Sequence, residues 1–241
     1  MALQLLALTV LVLVLLPAYI IYKPPKAVIS RLQSHNPSVL FQIQTKKRIV
    51  ALTIDDAPSP YTTEILDTLR ENDATATFFV IGNQAHGNEA LLADIVRAGH
   101  ELGNHAMHDE PSVSLSSETL SQEIHDVDVL INTAYDQGGR QRKSRYFRPG
   151  SGVFSQRILD IAEKAGYQTI LGSIYPHDPF ISRWRINAWH ILSSLRQGAV
   201  IICHDRRSWT VPMLRKALPE MKRRGFEVTS VTGLLNSMND T

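Results

Sequence analysis

The chain opens on an unbroken apolar stretch. From Ala2 to Tyr22 only Gln4, Thr9 and Pro17 interrupt it. About twenty residues at 1.5 Å rise cover the hydrocarbon core of a bilayer, so the run predicts an N-terminal transmembrane helix. A cleaved signal peptide is the rival reading. Against it, no Lys or Arg precedes the run, the run is long for a signal core, and the stretch after it lacks a small-x-small cleavage site. A buried core helix does not suit this length and position. Residues 23–47 are polar, contain Pro and show weak periodicity, and predict a stalk.

From residue 48 onward the pattern changes. Short β-rich runs alternate with stretches of helical period. Strands are predicted at 49–54, 76–81, 101–105, 146–148, 168–173, 199–203 and 227–231. Helices are predicted at 62–71, 88–98, 117–134, 155–165, 187–196 and 210–224. Gly99, Gly166, Gly198 and Gly225 follow four of these helices as stop signals. Such alternation predicts parallel βα units. Seven strands suit an α/β fold that closes, or nearly closes, as a distorted (β/α)7 barrel behind the membrane helix. A doubly wound open sheet is the alternative. No repeat or low-complexity tract appears, and the basic loop 137–145 reads as a solvated connection.

Composition narrows the class. Removing the apolar N-terminus from 241 residues leaves one domain of about 200, large enough for a full core. The net charge of +2 is too small to argue for a polyanion, so no nucleic-acid partner is expected. Cys203 is the one cysteine, which excludes an intrachain disulfide, and its apolar run makes it a core residue. Nine histidines, several beside carboxylates, raise the expectation of a metal site.

The polar residues track the strand ends. Asp55 and Asp56 follow the first strand, His105 ends the third and Arg148 the fourth. His177 and Asp178 come after the fifth, and His204 and Asp205 end the sixth. Parallel sheets and barrels place their sites at these C-terminal ends. Taken singly, each has a local explanation: a helix cap, a loop histidine, a surface ion pair. Their convergence on one rim is what those explanations leave out.

Residue type then suggests the chemistry. A metal-bound carboxylate stays ionised, while its neighbour is free to take a proton. His and carboxylate ligands with an open water position describe catalytic zinc, which polarises a carbonyl. His204 is a separate group able to protonate a leaving amine. Such a set suits hydrolysis of an amide or ester.

Five segments carry a family resemblance. Thr53-Ile54-Asp55-Asp56-Ala57-Pro58-Ser59 resembles the first motif of the polysaccharide deacetylases, carbohydrate esterase family 4. Thr77-Phe78-Phe79-Val80-Ile81-Gly82 and Gly99-His100-Glu101-Leu102-Gly103-Asn104-His105 match the stretches after it. Tyr146-Phe147-Arg148-Pro149-Gly150 and Ile201-Ile202-Cys203-His204-Asp205 resemble later motifs. The similarity runs in order from about Arg48 to Leu235. It implies a distorted (β/α)7 barrel and a divalent ion, zinc or a substitute. It implies Asp55 as catalytic base, Asp56 and His105 as metal ligands, Arg148 as the residue orienting the base, and His204 as general acid. Asp178 matches the Asp that pairs with that His, in a poorly kept motif.

The departures are specific. The family's second motif has two histidines four positions apart. Here Ala106 follows His105, Asp109 holds the fourth place, and His108 falls one short. The third ligand is therefore Asp109 or His108, with Asp109 in the aligned place. Ala57 stands for a usual Gly, Gly150 for a usual aromatic, and Pro179 for a usual Trp. The backbone N–H of Gly150 is expected to face a developing oxyanion. Residues 104–112 resemble a fungal-type, chitin deacetylase-like branch.

The expected activity is metal-dependent removal of N-acetyl groups from an amino sugar of a polysaccharide or glycoconjugate, with a chitin-type substrate favoured. Two alternatives stand beside it: a deacylase of a small non-sugar amide, and a metal-poor membrane-anchored relative that only binds glycan. The expected location is a single-pass membrane protein. The function places the domain outside the cell or in a secretory lumen, whereas Lys23, Lys26 and Arg31 after the apolar run favour the cytoplasmic side.

Overall fold

The computed structural model describes residues 1–238, so the last three residues of the expected 48–241 domain lie outside it. A central strand, β2 (Ile49–Ala57), is buried along its whole length. Its run Ile-Val-Ala-Leu-Thr-Ile is apolar on both faces, as a parallel strand covered on both sides requires. Side chains alternate. Val50, Leu52 and Ile54 face the helices, while Ile49 and Ala51 face inward with Phe79, Tyr146, Ile170 and Val200. By the same alternation Thr53 and Asp55 continue the inward face at the strand's C-terminal end.

The other described strands are β1 (Val39–Leu40), β3 (Thr77–Val80), β4 (Glu101–Asn104), β5 (Tyr146–Phe147), β6 (Gln168–Ile170), β7 (Val200–His204) and β8 (Glu227–Thr229). All named pairings are parallel, in the order β1-β6-β5-β4-β3-β2-β7, with β8 also on β2. The ends approach each other through single bridges, Ile174 to Ile201 and Gln42 to Ala199. The sheet is thus a curled, distorted (β/α) barrel.

Helices α1 (Ala2–Tyr22), α2 (Lys26–His35), α3 (Thr62–Glu71), α4 (Gly82–Ala85), α5 (Glu89–Arg97), α6 (Ser117–Gly138), α7 (Gln156–Lys164), α8 (Trp184–Ser194), α9 (Thr210–Arg223) and α10 (Val231–Asn236) complete the described chain. Those from α3 to α9 surround the sheet. Their apolar faces repeat at helical spacing, as in α9, which buries Thr210, Val211, Met213, Leu214, Ala217, Leu218 and Met221. Val231 and Leu234 of α10 close the barrel floor beside Leu40 and Ile43.

Three differences from the sequence expectation stand out. Residues 23–47, read as a stalk, form α2 and β1, and β1 pairs with β6. Ile29, Val39 and Phe41 of this segment pack with Leu159 and Leu171. The expected last strand stops at Thr229, and Ser230 instead caps α10 by accepting the Gly233 N–H at 3.2 Å. Finally, α1 is a 21-residue helix whose described side chains are mostly exposed. No single helix among the described residues is long and apolar enough to cross a membrane. Thr9–Tyr22 and Lys26–His35 meet the length and composition only as a pair bent by 67°.

Candidate active site

Asp55 and Asp56 are held apart by the backbone. The register of β2 against β3 shifts between Ile54 and Ala57, and Asp56 takes φ +62°. Asp tolerates this left-handed conformation better than most residues. The shift lets two adjacent carboxylates face the same rim. Gln84, with its amide oriented to satisfy its neighbours, donates to the Asp56 and Pro58 carbonyls at 2.7 and 3.0 Å and accepts from Arg206 at 2.9 Å.

Arg148 lies beneath Asp55. It is 1% exposed, and its guanidinium stands 4.1 Å from the Phe79 ring centroid. Nη1 forms a salt bridge with Asp55 Oδ1 and donates to Thr53 Oγ1 at 2.8 Å. Nε and Nη2 donate to the carbonyls of Ile170 and Leu171 at 3.1 and 3.2 Å. A buried charge is tolerated when it is paired and its hydrogen-bonding capacity is satisfied. Burial lowers the Arg148 pKa from its ordinary value, and Asp55 opposes that.

His204 faces Asp55 from the end of β7, with Nε2 3.9 Å from Asp55 Oδ2. Its Nδ1 lies 3.0 Å from Asp178 Oδ1, and its backbone N–H donates to Asp178 Oδ2 at 2.8 Å. Asp178 is fully buried and its carbonyl accepts the Trp209 indole N–H at 3.0 Å. Burial acts to lower the His204 pKa. The Asp178 carboxylate, with Asp55 and Asp56 behind it, outweighs burial and raises it to about 9.

Asp56 faces His105 across the rim. Its Oδ1 lies 3.9 Å from His105 Nε2. His105 Nδ1 bonds the Arg148 carbonyl at 2.7 Å. A carbonyl only accepts, so Nδ1 donates, which leaves Nε2 as the ring nitrogen turned toward Asp56 and available as a ligand. Burial raises the Asp56 pKa, His204 and His105 oppose it, and Asp55 and Asp109 add to it. Asp109 is thus close enough for Asp56 to feel its charge. Yet both His108 and Asp109 are exposed. Among the described residues no group of three His, Cys, Asp or Glu side chains is gathered to hold a metal. Arg207 reaches Asp56 Oδ2 at 3.5 Å instead. The donors therefore fit a divalent ion at two positions, Asp56 Oδ1 and His105 Nε2, and leave the third to a loop side chain.

Asp205 stands at the rim as the sequence placed it, but its contacts, and the residues Tyr175 and Arg207, were not read from the sequence. Asp205 is buried, takes the Ser59 hydroxyl at 2.5 Å and that of Thr62, and donates its N–H to the Asp55 carbonyl at 2.8 Å. It ties the end of β7 to the end of β2. Tyr175 packs on His204 with ring centroids 5.9 Å apart, and burial raises its hydroxyl pKa further above 10. Arg207 and Tyr175 lie on loops, where no periodicity marks them. The Gly150 N–H, expected to face an oxyanion, donates to Ser112 Oγ at 2.8 Å. A cavity of about 400 Å³ lies on the far side of the Pro58–Ser59 turn, lined by Pro58, Ser59, Asn83, Gln84, His86 and Arg206 among others, and none of Asp55, Asp56, His105 and His204 lines it.

A parallel barrel that gathers two carboxylates and two histidines, Asp55, Asp56, His105 and His204, at its C-terminal rim has the layout expected of an amide or ester hydrolase. Comparison with known proteins narrows it. The family described as "Polysaccharide deacetylase" matches residues 42–170. The chain is 33% identical to a peptidoglycan-N-acetylglucosamine deacetylase of Bacillus cereus, over 82% of this chain and 92% of that one. It is 32% identical to a chitooligosaccharide deacetylase of Bradyrhizobium, over 75% and 88%. Among solved structures it matches PdaA of Bacillus subtilis, a family 4 carbohydrate esterase, with a TM-score of 0.77 at 25% identity, over 90% of this chain and 93% of that one. It also matches a family 4 pseudoenzyme of Bacillus anthracis, with a TM-score of 0.75 at 27% identity, over 83% and 69%. The chain belongs to the polysaccharide deacetylase family.

Proposed function

We propose that this protein hydrolyses the N-acetyl amide of an amino sugar in a polysaccharide or glycoconjugate, with chitin-type oligosaccharides as the favoured substrate. The observation that carries the proposal is the facing pair of Asp55 and His204, each held by its own buried partner. Arg148 holds the Asp55 carboxylate in place through a buried salt bridge, facing His204. Asp178 keeps His204 protonated at neutral pH, which is what a general acid needs. The two act in sequence. Asp55 takes a proton from the attacking water, and His204 gives one to the departing amine, which leaves poorly as an anion.

A divalent ion, zinc in this reading, would be held by Asp56 and His105 with Asp109 or His108 as third donor. Bound there, it would polarise the acetyl carbonyl. The relatives that deacetylate peptidoglycan and chitooligosaccharides support the reaction class. We place the domain on a membrane through α1, outside the cell or in a secretory lumen. The exposed apolar side chains of that helix support the anchor, while the basic residues after it pull toward the cytoplasmic side.

One observation favours a second reading, a metal-poor relative that binds glycan without turning it over. Arg207 holds Asp56 Oδ2 while Asp109 stays exposed, and a family 4 pseudoenzyme is among the similar structures. The experiment that separates the readings is acetate release from N-acetylated chito-oligomers, peptidoglycan fragments and small amides, with and without chelator. Release from the oligosaccharides alone, abolished by chelator, is expected. No release after metal loading refutes catalysis, and release from small amides alone refutes the sugar assignment.

A further inference from the structure

The end of α1 is fixed to the domain. Lys23 Nζ donates to Ser193 Oγ at 2.8 Å and stands 4.9 Å from the Trp189 ring centroid. Tyr22 stacks on His177 at 5.0 Å and meets His190 edge-on at 4.8 Å. His177 Nε2 bonds the Tyr22 carbonyl at 2.9 Å. The apolar helix therefore leaves the domain at a defined place, the surface of α8.

That surface has an unusual composition. α8 buries Asn187, Ala188, His190 and Ile191 and turns the opposite face outward. Trp189 is 56% exposed, Ile186 41%, and Phe180, in the loop before α8, 83%. Arg183 and Arg185 are exposed on the same segment. Between α8 and α9 lies a cavity of about 560 Å³ whose lining includes Trp184, Arg185, Trp189, Leu192, Lys216 and Arg224, and no carboxylate. Arg224 pairs with Glu220. Among the described residues, Arg183, Arg185 and Lys216 have no acidic partner. Large exposed apolar side chains beside unpaired cations match the layer where acyl chains meet anionic headgroups.

We propose that this face, Phe180 to Trp189 with the α8–α9 groove, lies on the surface of the bilayer that α1 enters. Its aromatic residues sit in the headgroup layer, and Arg183, Arg185 and Lys216 meet the phosphates of anionic lipids. The proposal rests on the reading of α1 as an anchor. Continuity with the end of α1 and charge complementarity commit the face to lipid. It also sets where the site opens. Ring contacts run from Tyr22 to His177, from His177 to Tyr175 at 4.6 Å and from Tyr175 to His204 at 5.9 Å, so the catalytic rim lies close to the membrane plane.

Cys203 is fully buried, so a cysteine introduced into the full chain is the accessible thiol. Ile186→Cys carries an environment-sensitive fluorophore, and Val129→Cys on α6 carries the same label as control. The full chain is reconstituted in phosphatidylcholine vesicles with and without phosphatidylglycerol. The 186 label is expected to shift to the blue and to lose access to aqueous iodide when phosphatidylglycerol is present, while the 129 label stays open. Arg185→Glu with Lys216→Glu should restore access by about fivefold or more per charge, because a basic residue near an anionic surface contributes roughly that factor. A chain that floats with the vesicles but leaves the 186 label in water overturns the docked face and leaves the anchor standing. Equal shielding without phosphatidylglycerol overturns the anionic recognition. A chain that does not float overturns the anchor, and the docked face falls with it.

Discussion

Replacing Asp178 by Asn tests the proton inventory of the site most directly. Asp178 is fully buried and touches His204 twice, through the ring and through the backbone N–H. Burial acts to push the His204 pKa below its ordinary 6.5. The Asp178 charge, then Asp55 and Asp56, reverse this and hold it at about 9. The net rise corresponds to about 3 kcal/mol in favour of the imidazolium. Asn keeps the shape and removes the leading charge, so the His204 pKa should fall to about 6.5 or lower. A divalent ion held by Asp56 would lower the His204 pKa in both proteins and leave the direction of the Asp178→Asn shift unchanged. His204 acts protonated, so the high-pH limb of kcat/KM should move down with its pKa. At pH 8 the protonated fraction drops roughly thirtyfold for a pKa of about 6.5, whereas at pH 6 the two proteins differ far less. Acetate release from an N-acetylated oligosaccharide, measured from pH 5 to 10, reads this out. The same group enters stability with a definite sign. Its folded pKa is raised, so its contribution is complete below about 6.5 and is lost as pH rises through about 9. The gap in Tm between wild type and variant should therefore narrow over that interval. An activity profile that keeps its upper limb near 9 and only shrinks in height would refute the role given to Asp178.

Four further outcomes follow from the geometry. The wild type should bind about one divalent ion per chain, and His105→Ala should lose it, read by elemental analysis. In a metal titration Asp109→Ala should weaken binding at least about tenfold and His108→Ala little, and the reverse order would transfer the third ligand to His108. Arg148→Met should cost about 3–5 kcal/mol in chemical denaturation, because Asp55 is left buried and unpaired, and adding Asp55→Asn should recover part of it. The full chain should stay with membranes through alkaline extraction, and recovery of a mature N-terminus beyond Lys23 would identify a cleaved signal instead.

The central part of the fold was legible because its signals are local. A wholly buried β2 follows from its apolar run, and the helices from their period and glycine stops. What escaped depends on distant partners. β1 is two residues long and exists through its pairing with β6, so nothing within residues 23–47 announces it. α8 begins at Trp184, three residues before the expected start, in a stretch whose Arg and Trp residues blur the apolar period. Asp55, Arg148, His204 and Asp178 sit together where strand ends suggested they would. Arg207, Tyr175 and the Asp205 brace to Ser59 and Thr62 could not be read, because turns between elements bring them in.

Two departures that look independent along the chain are neighbours in space. The loop after His105 carries Asp109 where the family motif has a second histidine, and Gly150 stands where it has an aromatic residue. In the fold, Glu110 and Gly150 are in backbone contact. A Cβ on Gly150 would lie 2.0 Å from the Glu110 carbonyl oxygen, a distance no side chain tolerates. The Gly150 N–H also donates to Ser112 Oγ at 2.8 Å, which pins the loop from the other side. Removing the side chain at 150 therefore opens the space into which the loop carrying His108 and Asp109 is drawn. The glycine at 150 and the changed residue at 109 thus meet around one backbone contact, and any account of what this site binds has to treat them together.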